Sequence, residues 1–243
     1  MSRRLWISIA AVGALVVLGG AGAYTYFFSG LRTSPSALTL ASPSPSASSN
    51  VSPTASRTAG AGVWQIASGS LAGYRVKEQF VGQTSAHEAV ARTSDVTGQV
   101  TITQSGTSYQ MTSAKVTVQL ANLASVDQVA GYNVTNRDRI VQRSLDVSSF
   151  PTAVFTAQSV TLPAGAESGQ TVTVSVPGQL TIHGVTKNVT ALMQLRVTGG
   201  TAQIAGSIST NMTDFGISPP SVGFTTVQSA VTIEFQVNLT GGA

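Results

Sequence analysis

Cysteine is absent from the 243 residues. Its absence excludes disulfides, thiolate metal ligands, a cysteine nucleophile and a lipidated N-terminal cysteine. Charge is scarce as well, at 9% of residues against the usual quarter. The formal charge of +4 belongs to the N-terminus, because Arg3, Arg4, Arg32 and Arg57 have no acidic counterpart before residue 63. From Val63 onward nine basic residues meet nine acidic ones. The concentrated basic face that nucleic acid requires is missing, so no nucleic-acid partner is expected. There are only two histidines, His87 and His183, 96 positions apart and without clustered acids. That spacing argues against a metal centre. Serine is abundant enough that counting alone does not eliminate a dispersed Ser-His-Asp triad, but there is no G-x-S-x-G elbow. The chain reads as a binding protein, not an enzyme, with no metal and no cofactor.

What is present divides the chain into three parts. In residues 1–28, Arg3 and Arg4 precede an uncharged apolar run from Leu5 to Phe28. Its length suits one bilayer-spanning helix with the arginines on the cytoplasmic side. Trp6, Tyr24 and Tyr26 fall where interfacial aromatic residues belong. The competing reading is a signal peptide cut after Ala23, which would make the remainder secreted. Both readings place the rest of the chain outside the cytoplasm. Residues 29–62, rich in Ser, Pro, Ala and Thr, form a disordered linker with a reach on the order of 30 Å. Residues 63–243 form the folded domain.

That domain alternates with period two. Val231, Ile233, Phe235, Val237 and Leu239 share one face, as do Val189, Ala191, Met193, Leu195 and Val197, with Leu192 the exception. Val172, Val174 and Val176 form a third such set, and Val116, Val118 and Leu120 a fourth. These are half-buried antiparallel strands. Ser105-Gly106, Pro163-Ala164-Gly165, His183-Gly184 and Gly199-Gly200 supply turns between them. Eight or nine strands make a barrel or a sandwich, and strands of about ten residues favour the barrel. Residues 125–144 break the alternation, with Asn136 placed to cap a short helix through Ile140 and Val141.

Four segments in order resemble the YceI-like polyisoprenoid-binding proteins: Trp64-Gln65-Ile66; Asn136-Arg137-Asp138 followed by Leu145-Asp146-Val147-Ser148-Ser149-Phe150-Pro151-Thr152-Ala153-Val154-Phe155; Gln179 to Lys187 (QLTIHGVTK); and Asp214-Phe215-Gly216-Ile217. The resemblance spans residues 63–239. It departs after Asp138, where many members carry H-L-K/R-S and this chain reads Arg139-Ile140-Val141-Gln142-Arg143-Ser144, so head-group contacts by that histidine do not carry over. The resemblance implies an all-β, lipocalin-like antiparallel β-barrel of about eight strands with a short helical excursion. Here one N-terminal transmembrane helix would precede it. It also implies a long isoprenoid chain inside the barrel, no catalysis, and a homodimer as one common assembly.

Candidate ligand contacts in the interior or at the mouth are Tyr74, Val76, Glu78, Phe80, Leu123, Arg137, Asp138, Ile140, Leu145, Phe155, His183 and Phe215. Small inward residues should leave axial volume for one ligand. Glu78 shares parity with Tyr74, Val76 and Phe80, so it either faces inward, toward Arg137 or a ligand's polar end, or is turned out by a bulge. Arg137 and Asp138 either orient a polar head or form an internal salt bridge. His183 is either a ligand contact or a turn residue tying loops together, and His87 reads as exposed. The leading function is therefore an extracytoplasmic, membrane-tethered holder of a long apolar lipid (polyisoprenoid or isoprenoid quinone), for carriage or storage. The competing function is an envelope interaction module with a filled barrel or sandwich, binding a protein or wall polymer through its loops.

Overall fold

The computed structural model describes residues 32–41, 60–82, 85–129, 132–166, 168–223 and 225–241. The apolar run read as a transmembrane helix lies outside the described residues. Among those described, no helix is long and apolar enough to cross a membrane. In chain order the strands are β1 (Arg32–Thr33), β2 (Gly62–Ile66), β3 (Leu71–Phe80), β4 (His87–Thr93), β5 (Val96–Ser105), β6 (Ser108–Gln119), β7 (Ala124–Ser125) and β8 (Gln128–Val129). Helix α1 (Val134–Ser144) follows. Then come β9 (Thr152–Ala157), β10 (Val160–Thr161), β11 (Val172–Ile182), β12 (Val185–Thr198), β13 (Thr201–Asn211), a 3-10 turn (Met212–Phe215), β14 (Ser221–Val222) and β15 (Thr225–Gly241).

Antiparallel pairing runs β15, β13, β12, β11, β9, β6, β5, β2 and back to β15, closing an eight-stranded barrel. The closure is uneven. β2 meets only the last residues of β15, with Trp64 opposite Gly241 and Ile66 opposite Leu239. β3 then takes over the same edge of β15 and carries β4 and β7 with it. One end is therefore sealed around Trp64, Met111, Leu195 and Leu239. The opposite end, the mouth, is covered by α1 and the 3-10 turn, where Phe215 packs with Leu180 and Ile217.

The period-two pattern is what directs side chains inward. On β12, Ala191 and Leu195 are buried, while Leu192, the residue out of phase, is 56% exposed on the outer wall. The β11–β12 hairpin turns on His183 and Gly184, both with positive φ, as a two-residue turn matched to strand twist requires. A Cβ at residue 184 would come within 2.6 Å of the Phe150 ring, so glycine is needed there for space as well as for backbone freedom.

The cap of helix α1 lies three residues before the expected one. Asn133, not Asn136, is its N-cap, with its side chain accepting from the Thr135 amide at 3.0 Å. Residues 32–41, inside the stretch read as linker, lie as an extended strap on the outer wall. Arg32 and Thr33 pair with Val129 and Gln128 beside the mouth. Further along, the Ser34 hydroxyl donates to the Glu88 carbonyl at 2.5 Å, and the carbonyls of Pro35 and Ser36 accept from Arg75 and Arg92. The Leu38 amide donates to Glu234, and the Ala41 carbonyl accepts from Arg196 near the sealed end. Composition pointed to disorder because the strap is held mostly through its backbone groups, by arginines and a glutamate on the barrel.

Candidate functional site

The barrel encloses a cavity of about 260 Å³. Its wall on β15 runs from Thr225 to Val237, a length of strand that spans roughly 30 Å along a tilted barrel axis. Deep in the barrel the lining is Val100, Met111, Ala114, Ala157, Val176, Met193 and Ile204. A second space of about 70 Å³ extends toward the sealed end and shares Val100, Met111, Val176, Met193 and Ile204 with the first. Small inward residues leave this volume open, so the interior is not filled by side chains as the competing module would require.

Polar groups gather at one end. Tyr74, Glu78, Tyr132, Arg137 and Thr225 line the cavity near the mouth. Arg137 projects from α1 and donates through Nη1 to Glu78 at 3.0 Å and through Nη2 to Asp127. Asp127 also bonds His87 Nε2 at 2.7 Å and accepts from the Val90 amide at 3.0 Å. All four side chains, Glu78, His87, Asp127 and Arg137, are buried. Burial works against the charge on Asp127. The hydrogen bonds from His87 and Arg137, the guanidinium charge and the Val90 amide outweigh it and hold the carboxyl down to about 2. Glu78 moves the other way, because burial raises its pKa by more than Arg137 lowers it. Burial also raises the Tyr74 phenol, so it stays a neutral hydrogen-bond donor. Among the described residues, Thr225 Oγ1 is the buried side-chain oxygen without a hydrogen-bond partner, and it sits on the cavity wall.

Of the residues singled out from the sequence, Tyr74, Val76, Glu78, Leu123, Arg137, Ile140, Leu145, Phe155 and Phe215 line the cavity. Glu78 faces inward and its partner is Arg137. Phe80, Asp138 and His183 stand off the wall. Phe80 is buried against His87 and Tyr132, in an edge contact with the latter. Asp138 accepts from the amide and hydroxyl of Ser125 and fastens α1 to β7. His183 bonds the Phe215 carbonyl at 3.2 Å and packs edge-on against Phe150, tying two loops at the rim. His87, read as exposed, is buried. Its parity with Ala89 and Ala91, opposite to Glu88 and Arg92, was the available signal. Asp127, Tyr132 and Thr225 lie outside regular alternation or next to turns, and their sequence surroundings carried no comparable signal. No group of three or more metal-ligating side chains occurs among the described residues.

The family model for the YceI-like domain matches residues 64–239. No curated protein is detectably similar in sequence. Among solved structures, a polyisoprenoid binding domain from Saccharophagus degradans, implicated in plant cell wall breakdown, superposes with a TM-score of 0.53 at 12% identity. The match covers 73% of this chain and 98% of that one. BcnA of Burkholderia cenocepacia gives 0.45 at 19% identity, covering 68% and 95%. A Campylobacter jejuni YCEI protein gives 0.40 at 14%, covering 68% and 85%.

Proposed function

The chain belongs to the YceI-like domain family, and from that premise we propose that it is an extracytoplasmic, membrane-tethered protein that holds one long apolar lipid, of the polyisoprenoid or isoprenoid quinone class, inside its barrel. The observation that carries this reading is the form of the cavity: apolar along nearly the whole barrel, polar only at the mouth. A buried methylene contributes about 0.8 kcal/mol, so a long chain binds tightly with little polar help. The tether is supported by the Leu5–Phe28 run behind Arg3 and Arg4.

The polar end also bears on the ligand's head. Arg137, the one cationic side chain on the wall among the described residues, is already engaged by two carboxylates. A phosphate would have to approach those same carboxylates, which is unfavourable in a low-dielectric site. The Tyr74 phenol and the unpartnered Thr225 hydroxyl suit an uncharged oxygen instead. The reading therefore favours a quinone or an alcohol over a diphosphate. Carriage or storage suits a site that has the form of a container. The test is solvent extraction of the natively purified protein followed by mass spectrometry. One isoprenoid with an uncharged head per barrel is the expected result. An empty barrel that also takes up no added isoprenoid would refute the proposal.

A further inference from the structure

The strap leads the chain to the barrel's mouth and not to its far end. Arg32 and Thr33 pair with Val129 and Gln128, which directly precede α1, the helix over the cavity opening. From there the strap descends the outer wall to Arg196, near the sealed end. Gly60, where the described chain resumes, lies at that same end, its carbonyl accepting from Trp64 Nε1. Both ends of the stretch from 42 to 59 are thus at the sealed end, and that stretch adds nothing to the distance between the N-terminal apolar run and the mouth.

The strap is built into the wall. Glu234 faces outward by parity yet is only 2% exposed. It binds Arg75 and Arg92, each at 2.7 Å, and Arg75 also binds Glu88 at 2.6 Å. Each of the two guanidiniums spends a further donor on a strap carbonyl. An outward ion cluster this buried implies a cover that stays in place, since buried charges need every hydrogen bond satisfied.

We infer that the barrel docks mouth-first on the lipid surface from which its own N-terminal segment emerges, with α1 as the gate facing the bilayer. This rests on the membrane-anchor reading of residues 5–28. From Phe28 to Arg32 is four residues, at most about 14 Å of chain, about twice the thickness of one leaflet's polar interface. The orientation comes from the strap and not from charge. At the mouth end acidic and basic side chains are interspersed, with Arg32, Arg139, Arg143 and Lys187 standing among Asp95, Asp138, Asp146 and Asp214. A lipid leaving the bilayer would reach the cavity past α1 without crossing bulk water.

The cysteine-free chain allows clean single labelling. Full-length Arg139→Cys (at the gate) and Thr107→Cys (in the sealed-end turn) each carry a donor dye, in vesicles of neutral phospholipid doped with a headgroup acceptor. The two sites are roughly 30 Å apart along the axis. Energy transfer from residue 139 should exceed that from residue 107 by about twofold or more, and should be insensitive to salt. Insertion of a twelve-residue Gly/Ser segment between Gly30 and Leu31 should abolish the difference. Equal transfer at the two sites, or a difference that survives the insertion, overturns the inference. So does a chain that fails to float with the vesicles, which removes the anchor itself. Lipid extracted from the same preparations is a separate readout. Mouth-first transfer with an empty barrel would leave the docking standing and sink the cavity reading.

Discussion

Arg137→Met tests how much of the fold depends on the polar cluster at the mouth. In the structure the Arg137 guanidinium is bonded to Glu78 and Asp127, and both carboxylates are almost wholly buried. Methionine preserves most of the side-chain volume but leaves two buried carboxylates without their cation. Removing one partner of a buried ion pair costs about 3–5 kcal/mol. In a domain of this size that corresponds to a fall in Tm of about 6–20 °C. Urea unfolding of residues 32–243, followed by the fluorescence of Trp64, the single tryptophan in that span, reads the change directly. The penalty should shrink in acid. Without the guanidinium the Glu78 carboxyl, already raised by burial, rises further above its unfolded value. The variant's stability is then fully present below that unfolded value, near pH 4, and is lost as pH rises through the raised one. A second variant, Arg137→Met with Glu78→Gln and Asp127→Asn, should recover much of the loss, because no charge is left buried. A penalty below about 1 kcal/mol at pH 7 would refute the reasoning, since it lies under the range for a broken buried pair. So would a triple variant no more stable than the single one.

Asp127, whose carboxyl is held down to about 2 from an ordinary 3.8, contributes stability that is present above pH 4. That contribution should disappear as pH falls toward 2, by about 2 kcal/mol. Acid titration of the unfolding midpoint checks this, and Asp127→Asn should remove that limb of the curve. Ala114→Phe places a ring midway along the cavity wall. It should lower bound lipid at least about tenfold while shifting stability by no more than about 2 kcal/mol, measured by extraction and thermal unfolding together. Gly178→Ala would bring a Cβ within 2.5 Å of the Thr156 carbonyl and 2.6 Å of the Phe155 ring. A loss of about 1–3 kcal/mol in urea unfolding is expected, along with reduced lipid uptake as Phe155 is pushed from its place on the cavity wall.

The barrel was legible because its strands are long and half-buried, so parity alone assigns a side to each residue. Val231 to Thr240 alternate without a break, and the inward members Val231, Ile233, Phe235 and Val237 all line the cavity. For Glu78, parity and a bulge left two readings open, and the structure takes the inward one, with Arg137 as its partner. Parity fails where a third layer covers the wall. Glu234 faces outward as its position dictates, yet it is buried because the strap lies over it. Nothing in the strap's composition signals that role, since apart from the Ser34 hydroxyl its bonds to the barrel come from backbone carbonyls and an amide. The cap of α1 was displaced for a different reason. Asn133 and Asn136 are both good capping residues three positions apart, and the structure uses the first, with Asn136 inside the helix. His183 stood out because it lies in the family signature, but a signature residue in a tight turn serves the turn as readily as a ligand.

Affinity as a function of chain length tests the central claim most directly. The purified barrel with its strap, emptied of lipid, is titrated with isoprenoid alcohols of increasing length in competition with a fluorescent analogue. If the cavity holds the chain, each added isoprene unit should raise affinity about tenfold or more, until the apolar space is filled, and then add nothing. The Ala114→Phe variant should reach its plateau at a shorter chain. Affinity that does not change with length, or that tracks only the polar head, would contradict the account.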